Sequence, residues 1–592
     1  MQEFIPTQRI KTIMKFLTLL FIHCSLLTIH HSASAAEGSQ GKHSSTPNVI
    51  VIMADDMGYS DIGCYGGEIK TPVLDELARN GLRYTQFYNT SRCCPTRAAL
   101  ISGLYSHQTG MGLMEGDRGW PGYRGSINNR CVTLAEALKG AGYKNYMSGK
   151  WHLTRHKNPS GDTSAWPMQR GFDRFYGTIT GAGSFYDPAT LCRGNTYITP
   201  ENDPGYQPES FYYTDAISDN AIRFIGDHCG NNETSDKPFF LYVSHTSAHW
   251  PMHAPETDIA KYRGAYDEGY PSIRQARYKK AIEMGVIDKK WAMSKGLDWE
   301  GFEHKAWDIR CMEVYAAMTE IMDRGIGRIV NELKKQKLFD NTLVIYLQDN
   351  GGCAEGYGRA NNSQKKEQFK FKPLGKDGLQ TKIWPPMQTR DGRFVRTGPE
   401  TMPGGDDTFV AYGPGWANTS NTPFRGYKHD PYEGGIGTPL IVSWPRGITS
   451  DQNGKIVHEV SHLIDLMPTF VEAAGATYPK NYNGNVIQPM EGVSLIPTLA
   501  GNPLPRESPI GFEHHGNLGL RDGKWKIVSM YRRNQARKWE LYDMDADRTE
   551  LNDLAKKMPD KLNSMVAAWQ SWADRVGVQP WPIPSYDPRK VK

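Results

Sequence analysis

The chain has 592 residues, too many for one ordinary core, so two domains are expected. Its 39% apolar and 22% charged residues exclude a largely disordered chain, and 15 Trp with 30 Tyr supply aromatic surface for a core and for ligand contact. The formal charge is +5, or about +3 once Glu3, Arg9, Lys11 and Lys15 of the leader are set aside, too little to argue for nucleic acid or an anionic membrane surface as partner.

At the N-terminus, Lys11 and Lys15 precede the apolar run 16–22, and Ala33-Ser34-Ala35 offers a small-residue cleavage site. Residues 1–35 therefore read as a signal peptide, with Met14 as an alternative start, and the chain as exported to the periplasm or the exterior. An anchoring helix is the competing reading. His23, His30 and His31 interrupt the apolar stretch before the roughly 20 residues a span needs, and no later segment is long and apolar enough to insert stably in a membrane.

Residues 47–54 form a continuous apolar, β-branched run that stops at Asp55-Asp56, as a strand buried on both faces would. The pattern recurs at 238–244, ending at His245; at 342–348, ending at Asp349-Asn350; and at 439–444. Helical patterns fall between. Thr71-Pro72 starts one that Gly81 stops, Thr133-Leu134-Ala135-Glu136 is a capping box, and 309–335 and 461–474 complete the set. Alternation of this kind implies an α/β fold with a mixed, mainly parallel sheet sandwiched by helices, whose ligands sit beyond the carboxyl ends of the strands. Residues 254–305 and 355–420 look like insertions. From about 501 the pattern changes to short strands, with an Asp522-Gly523 hairpin signal and a helix over 561–576. A large α/β domain over 46–500 and a small α+β domain over 501–592 are expected.

Asp55-Asp56 and Asp349-Asn350 are oxygen-donor pairs at predicted strand ends, hard ligands suited to Ca²⁺ or Mg²⁺. Each pair taken alone is equally suited to a turn or a helix cap. In Cys93-Cys94-Pro95-Thr96-Arg97, Cys93 stands just ahead of Pro95 and a helix-like stretch, at a helix N-terminus where an anion is favoured. The nine cysteines are sparse for a disulfide framework, and buried thiols are the plain expectation for most.

At these residues the chain resembles the type I, formylglycine-dependent sulfatases, whose Cys-x-Pro-x-Arg motif is the substrate of a formylglycine-generating enzyme. The motif selects Cys93, since counting from Cys94 puts Thr96 where proline is needed; Thr96 stands where the family more often has Ser or Ala. The likeness continues through Ala54-Asp55-Asp56, Gly149-Lys150-Trp151-His152, Ala248-His249-Trp250-Pro251, Asp349-Asn350-Gly351, and Tyr427-Lys428 with Glu433-Gly434-Gly435. It runs from about Asn48 to the C-terminus and is most similar to bacterial arylsulfatases. It implies an alkaline-phosphatase-like fold, one divalent cation held by Asp55, Asp56, Asp349, Asn350 and the group on Cys93, and conversion of Cys93 to formylglycine (3-oxoalanine). It also implies catalytic roles for Cys93, Arg97, Lys150, His152, His249 and Lys428, and a sulfated small molecule or glycan as substrate.

The chemistry asks for the same residue types. A sulfate monoester is an anion whose S–O bond breaks with charge building on the leaving oxygen, so the site needs cations around sulfate and a proton for the alcohol. The metal, Arg97, Lys150 and Lys428 answer the first need, and His249 helped by Lys428 the second. A hydrated aldehyde carries two hydroxyls on one carbon, one to attack sulfur and one to expel sulfate, with His152 the candidate base. Lys428 reads equally as a solvated loop lysine, and His245, His253, His514 and His515 as packing residues or substrate contacts. Two other functions stay open: a phosphomonoester or phosphonate hydrolase of the same superfamily, and a non-catalytic sulfate- or glycan-binding homologue.

Overall fold

A computed structural model describes residues 46–360 and 371–587; the expected signal peptide and residues 361–370 of the second insertion lie outside the described residues. Strands of the main sheet are β1 (Asn48–Ala54), β2 (Leu82–Tyr88), β3 (Lys144–Gly149), β4 (Arg174–Thr178), β5 (Leu191–Arg193), β6 (Thr196–Tyr197), β7 (Phe239–Ser244), β8 (Thr342–Gln348), β9 (Gly437–Ser443), β10 (Ile456–Val457) and β11 (Ser461–His462). They run in the order β10-β2-β9-β8-β1-β7-β3-β4-β5-β6, with β11 also pairing β2. Neighbours in the central run β8-β1-β7-β3-β4 are all parallel, and β9 lies antiparallel to both β2 and β8.

β1 explains why its sequence is apolar at every position after Asn48. Val49, Val51 and Met53 face one core, Ile50, Ile52 and Ala54 the other, so no residue of the strand meets water. The long helix Lys305–Lys335 packs against the helix Tyr213–Gly230 on the Ile50 side. On the Val49 side lie the helices Cys93–Ser102 and Leu466–Ala473. Register then does the work of bringing distant residues together. Ala54 pairs with Gln348, and Gly149 with Ser244, so Asp55 and Asp349 emerge side by side, as do Lys150 and His245. No helix among the described residues is long and apolar enough to cross a membrane.

Several local expectations change. The capping box is present, with Glu136 N–H donating to Thr133 Oγ1 (3.1 Å) and Thr133 N–H to Glu136 Oε2 (2.7 Å). Thr71 precedes its helix but its hydroxyl accepts from Gly63 N–H (2.8 Å); the first amides of that helix, at Val73 and Leu74, donate to Asp323 instead. The single helix expected over 461–474 is strand β11, a 3₁₀ turn (Leu463–Asp465) and the helix Leu466–Ala473, because Asp465 accepts from His462 N–H (2.7 Å) in a capping box that starts the turn at Leu463 and leaves 461–462 to pair with β2. Among the described residues the eight cysteines are free thiols, seven of them buried.

After a small hairpin, β12 (Asn481–Tyr482) and β13 (Asn485–Val486), the chain forms a four-stranded antiparallel sheet of β14 (Ile510–His514), β15 (Asn517–Asp522), β16 (Trp525–Ser529) and β17 (Glu540–Asp543). The helix Pro559–Val576 packs on it. Its apolar face, Phe512, Leu520, Ile527 and Trp572, joins the same core as Leu100 and Ile101 of the Cys93 helix. A buried ionic knot adds to this join. Glu433 accepts from Lys526 Nζ (2.8 Å), Arg548 Nε (2.8 Å) and Tyr88 O–H (3.1 Å), Lys526 also meets Glu550 (2.8 Å), and the four charged side chains are fully buried. Removing one member strands charges that burial makes costly. Glu433→Ala is expected to lower the unfolding free energy by about 3–5 kcal/mol in a urea titration; a loss under about 1 kcal/mol, the worth of a solvent-exposed pair, would contradict this account of the knot.

Candidate active site

Cys93 is the first residue of the helix Cys93–Ser102, all ten residues of which are buried. Ahead of it the chain turns through Ser91, held at φ +61°, and Arg92, which is extended. Thr96 ties this turn to the helix: its Oγ1 accepts from Thr90 N–H (3.1 Å) and bonds Thr90 Oγ1 (2.9 Å). The helix start directs free amides and the positive end of the peptide dipoles at the Cys93 side chain. A hydrogen bond from the Cys94 thiol, with Lys150 and His152 nearby, holds the Cys93 thiol well below its ordinary range despite burial.

Asp55, Asp56, Asp349 and Asn350 form a closed ring at the ends of β1 and β8. Asp56 N–H donates to Asp349 Oδ1 (3.2 Å) and Asn350 Nδ2 to Asp56 Oδ1 (2.7 Å). Asp56 keeps a left-handed backbone, φ +58°, the strained kind of conformation that clusters at functional sites. Each carboxylate has its own cation. Lys150 Nζ lies 2.5 Å from Asp55 Oδ2, Arg97 Nη2 2.8 Å from Asp349 Oδ2 and 3.4 Å from Asp55 Oδ2, and Lys428 Nζ 2.8 Å from Asp56 Oδ1. Burial pushes Asp349 up to about 7, with Asp55 adding to the rise and Arg97 and Lys150 opposing it. Burial also opposes ionisation of Asp56, but Lys428 and His249 outweigh it and hold that carboxyl below its ordinary value. Two buried acceptors, Asp55 Oδ1 and Asn350 Oδ1, have no hydrogen-bond partner. An all-oxygen set with two unsatisfied acceptors fits a hard divalent cation.

The remaining expected residues lie around this ring. His152, also at φ +58°, contacts Cys93 and lies 3.8 Å from Glu115 Oε1, and its Nδ1 is unpartnered. Gly181 presses on its ring: a β-carbon there would lie 2.0 Å from His152 Cε1, so only glycine fits. His249 donates from Nδ1 to Trp250 O (2.7 Å) and turns Nε2 to Asp56 Oδ2 (3.4 Å); burial pushes it down to about 4 against the pull of Asp56. Lys428 is buried, not a solvated loop lysine, and also meets Glu355 Oε2 (3.2 Å). The structure thus brings all ten expected residues into one buried cluster. His253 is fixed in the core by Thr408 O (2.7 Å), and His245 is buried with both nitrogens unpartnered. His514 stacks on His515 with ring centroids 4.2 Å apart, next to His429.

Some participants carried no sequence signal. Glu355 and Glu115 lie in loops, Gly181 in a Gly-Ala-Gly run, and Tyr242 and Ser244, which bond the Arg97 guanidinium, look like ordinary strand residues. Asp61, inside the first aspartate-rich motif, points away and pairs with Arg277 (2.6 Å) and Tyr315 O–H (2.6 Å).

A mainly parallel sheet covered by helices and a smaller C-terminal sheet make an alkaline-phosphatase-like fold, with a buried cluster of paired charges at the strand ends. The sulfatase family model matches residues 47–476. An uncharacterized sulfatase of Schizosaccharomyces pombe is 34% identical over 564 residues, 90% of this chain and 95% of that one. The arylsulfatase of Klebsiella aerogenes is 32% identical over 476 residues, 78% of this chain and 93% of its own. Among solved structures, one holding its substrate D-glucosamine-2-N,6-O-disulfate superposes with a TM-score of 0.58 at 21% identity, covering 90% of this chain and 98% of that one. The chain belongs to the sulfatase family, of the type I branch, and is a sulfuric ester hydrolase.

If the oxygen ring holds a divalent cation, Asp349→Ala, which removes one of its carboxylates, is expected to yield cation-free protein where the unaltered chain is loaded, as read by elemental analysis. Retention of a stoichiometric cation by the variant would exclude Asp349 as a ligand.

Proposed function

We propose that the chain hydrolyses sulfate monoesters using formylglycine derived from Cys93, with Ca²⁺, or Mg²⁺ in its place, held by Asp55, Asp56, Asp349, Asn350 and the group at position 93. The observation that carries this is the setting of Cys93 at a buried helix start, within electrostatic reach of Lys150, Arg97, His152, Asp55 and Asp349, with His249 and Lys428 on Asp56 of the same oxygen ring. Hydrated formylglycine supplies two hydroxyls on one carbon, one to attack sulfur and one to release it. The cation supplies positive charge beside the sulfate oxygens.

The protein's own side chains do the rest. Lys150 and Lys428 offer ammonium donors to the anion, and Arg97, whose Nε has no partner, lends its charge to the group at position 93 while its Nη2 braces both Asp55 and Asp349. His249 gives a proton from Nε2 to the leaving oxygen, with Lys428 beside it. Burial, with Lys428 and Lys150 beside it, keeps that imidazole neutral, and the negative charge of a bound ester acts in the opposite sense and raises its proton affinity. His152, against position 93, takes the proton of the hydroxyl that expels sulfate.

The formylglycine-generating enzyme is the maturation partner this reading requires. Export, a catalytic region over 46–500 and a smaller domain over 501–592 belong to the same reading. Both aryl and carbohydrate sulfates fit a reaction that asks only for a sulfate and a leaving oxygen.

Initial rates on an aryl sulfate and the matching aryl phosphate test it. The expected kcat/KM favours sulfate by at least about 100-fold, roughly 2.7 kcal/mol of transition-state discrimination. A strong phosphate preference would favour the phosphomonoesterase reading instead.

A further inference from the structure

Glu355 lies six residues beyond Asp349 in a stretch with no motif, yet its carboxylate meets five polar groups. Oε1 accepts from Arg92 Nη1 (2.8 Å) and lies 3.1 Å from His429 Nε2, which Arg92 Nη1 also meets. Oε2 takes the Trp250 indole N–H (3.1 Å), the Cys353 thiol (3.1 Å) and Lys428 Nζ (3.2 Å). A carboxylate offers about four lone-pair sites, so this one is saturated, and its side chain is only 14% exposed.

Two of these donors carry the groups assigned to the leaving oxygen. Lys428 is held directly. His249 is held through Trp250, whose carbonyl takes the His249 Nδ1–H (2.7 Å) and whose ring lies 4.2 Å from the imidazole, centroid to centroid. With Nδ1–H fixed in this way, Nε2 is the atom left to exchange a proton. Glu355 thus reaches both proton-bearing side chains from outside the reaction centre.

We propose that Glu355 is a positioning residue for the leaving-group side of the site, orienting Lys428 and the Trp250–His249 pair so that a proton meets the departing oxygen. The proposal rests on the sulfate-ester reading above. In the step concerned the deprotonated hydroxyl at position 93 bonds sulfur, the bond from sulfur to the ester oxygen breaks with its electron pair going to that oxygen, and the His249 Nε2 proton follows it.

The carboxylate has a second effect that separates this role from sulfate binding. It offsets positive charge on Arg92 and Lys428 that would otherwise tighten the ground-state grip on an anion. A substitution that keeps shape but removes charge therefore acts on kcat and not through weaker binding. Glu355→Gln presents one acceptor oxygen and one competing donor to the same five groups. Proton donation matters most for esters of weakly acidic alcohols, because a stable leaving anion departs without help.

The test is kcat and KM for a graded series from 4-nitrophenyl sulfate through phenyl sulfate to an alkyl sulfate, in matured protein. For Glu355→Gln, kcat on phenyl sulfate is expected to fall about 100-fold and on 4-nitrophenyl sulfate less than about 3-fold, with KM not raised. Trp250→Phe keeps an aromatic ring beside His249 and removes the indole N–H to Glu355, so a smaller loss with the same gradient is expected even where Glu355→Gln folds poorly. Losses equal across the series in both variants, or a raised KM with unchanged kcat, would overturn the assignment. No turnover of any ester by the unaltered chain would overturn the sulfate-ester reading and this assignment with it.

Discussion

Three carboxylates buried within one cluster are the constraint on which the rest of this structure turns. Asp55, Asp56 and Asp349 sit together out of water, where unpaired charge costs several kcal/mol per ion. The fold answers with Lys150, Lys428 and Arg97, one against each. With all three carboxylates ionised the cluster is balanced, so a divalent cation leaves it positive by two charges. That surplus, enclosed in low dielectric, is what a sulfate monoester meets. Burial, with the charge of Asp55, pushes Asp349 up to about 7 in the protein alone, and a divalent cation beside it would favour the ionised form.

The geometry that holds this cluster is inherited from sheet register and from long-range packing. Asp55 and Asp349 are neighbours because β1 and β8 are parallel and aligned at Ala54 and Gln348. Cys93 faces them because its helix is clamped between the main sheet and the C-terminal sheet, whose Phe512 and Leu520 share its core. The ionic knot of Glu433, Lys526, Arg548 and Glu550 fixes the segment just after Lys428 to the C-terminal region, so a part of the chain remote from the chemistry helps to place a charged side chain within it.

Much of this was legible in the sequence, for definite reasons. Fully buried parallel strands demand unbroken apolar runs, so 48–54, 239–244 and 342–348 were visible, and the polar residues that end them were visible by contrast. Cys93 and its partners were legible because Cys-x-Pro-x-Arg and Lys-Trp-His set unusual residue types at fixed spacing. Glu355, Glu115 and Gly181 were not. Each acts through a contact made by a loop of irregular backbone, and a lone Glu or Gly in a loop has many possible partners. Lys428 illustrates the same limit: nothing local distinguishes a solvated lysine from one enclosed by Asp56 and Glu355. The run 461–474 misled because helical periodicity cannot reveal that Asp465 caps its own first turn.

The central claim is that the reacting group is not the cysteine the gene encodes. Peptide mass spectrometry across residue 93, on protein purified from a formylglycine-competent host and active on a sulfate ester, reads this directly. The account predicts a peptide about 18 Da lighter than its unmodified form, the change when a thiol-bearing carbon becomes an aldehyde nucleophile precursor. Active enzyme carrying only unmodified Cys93 would contradict it.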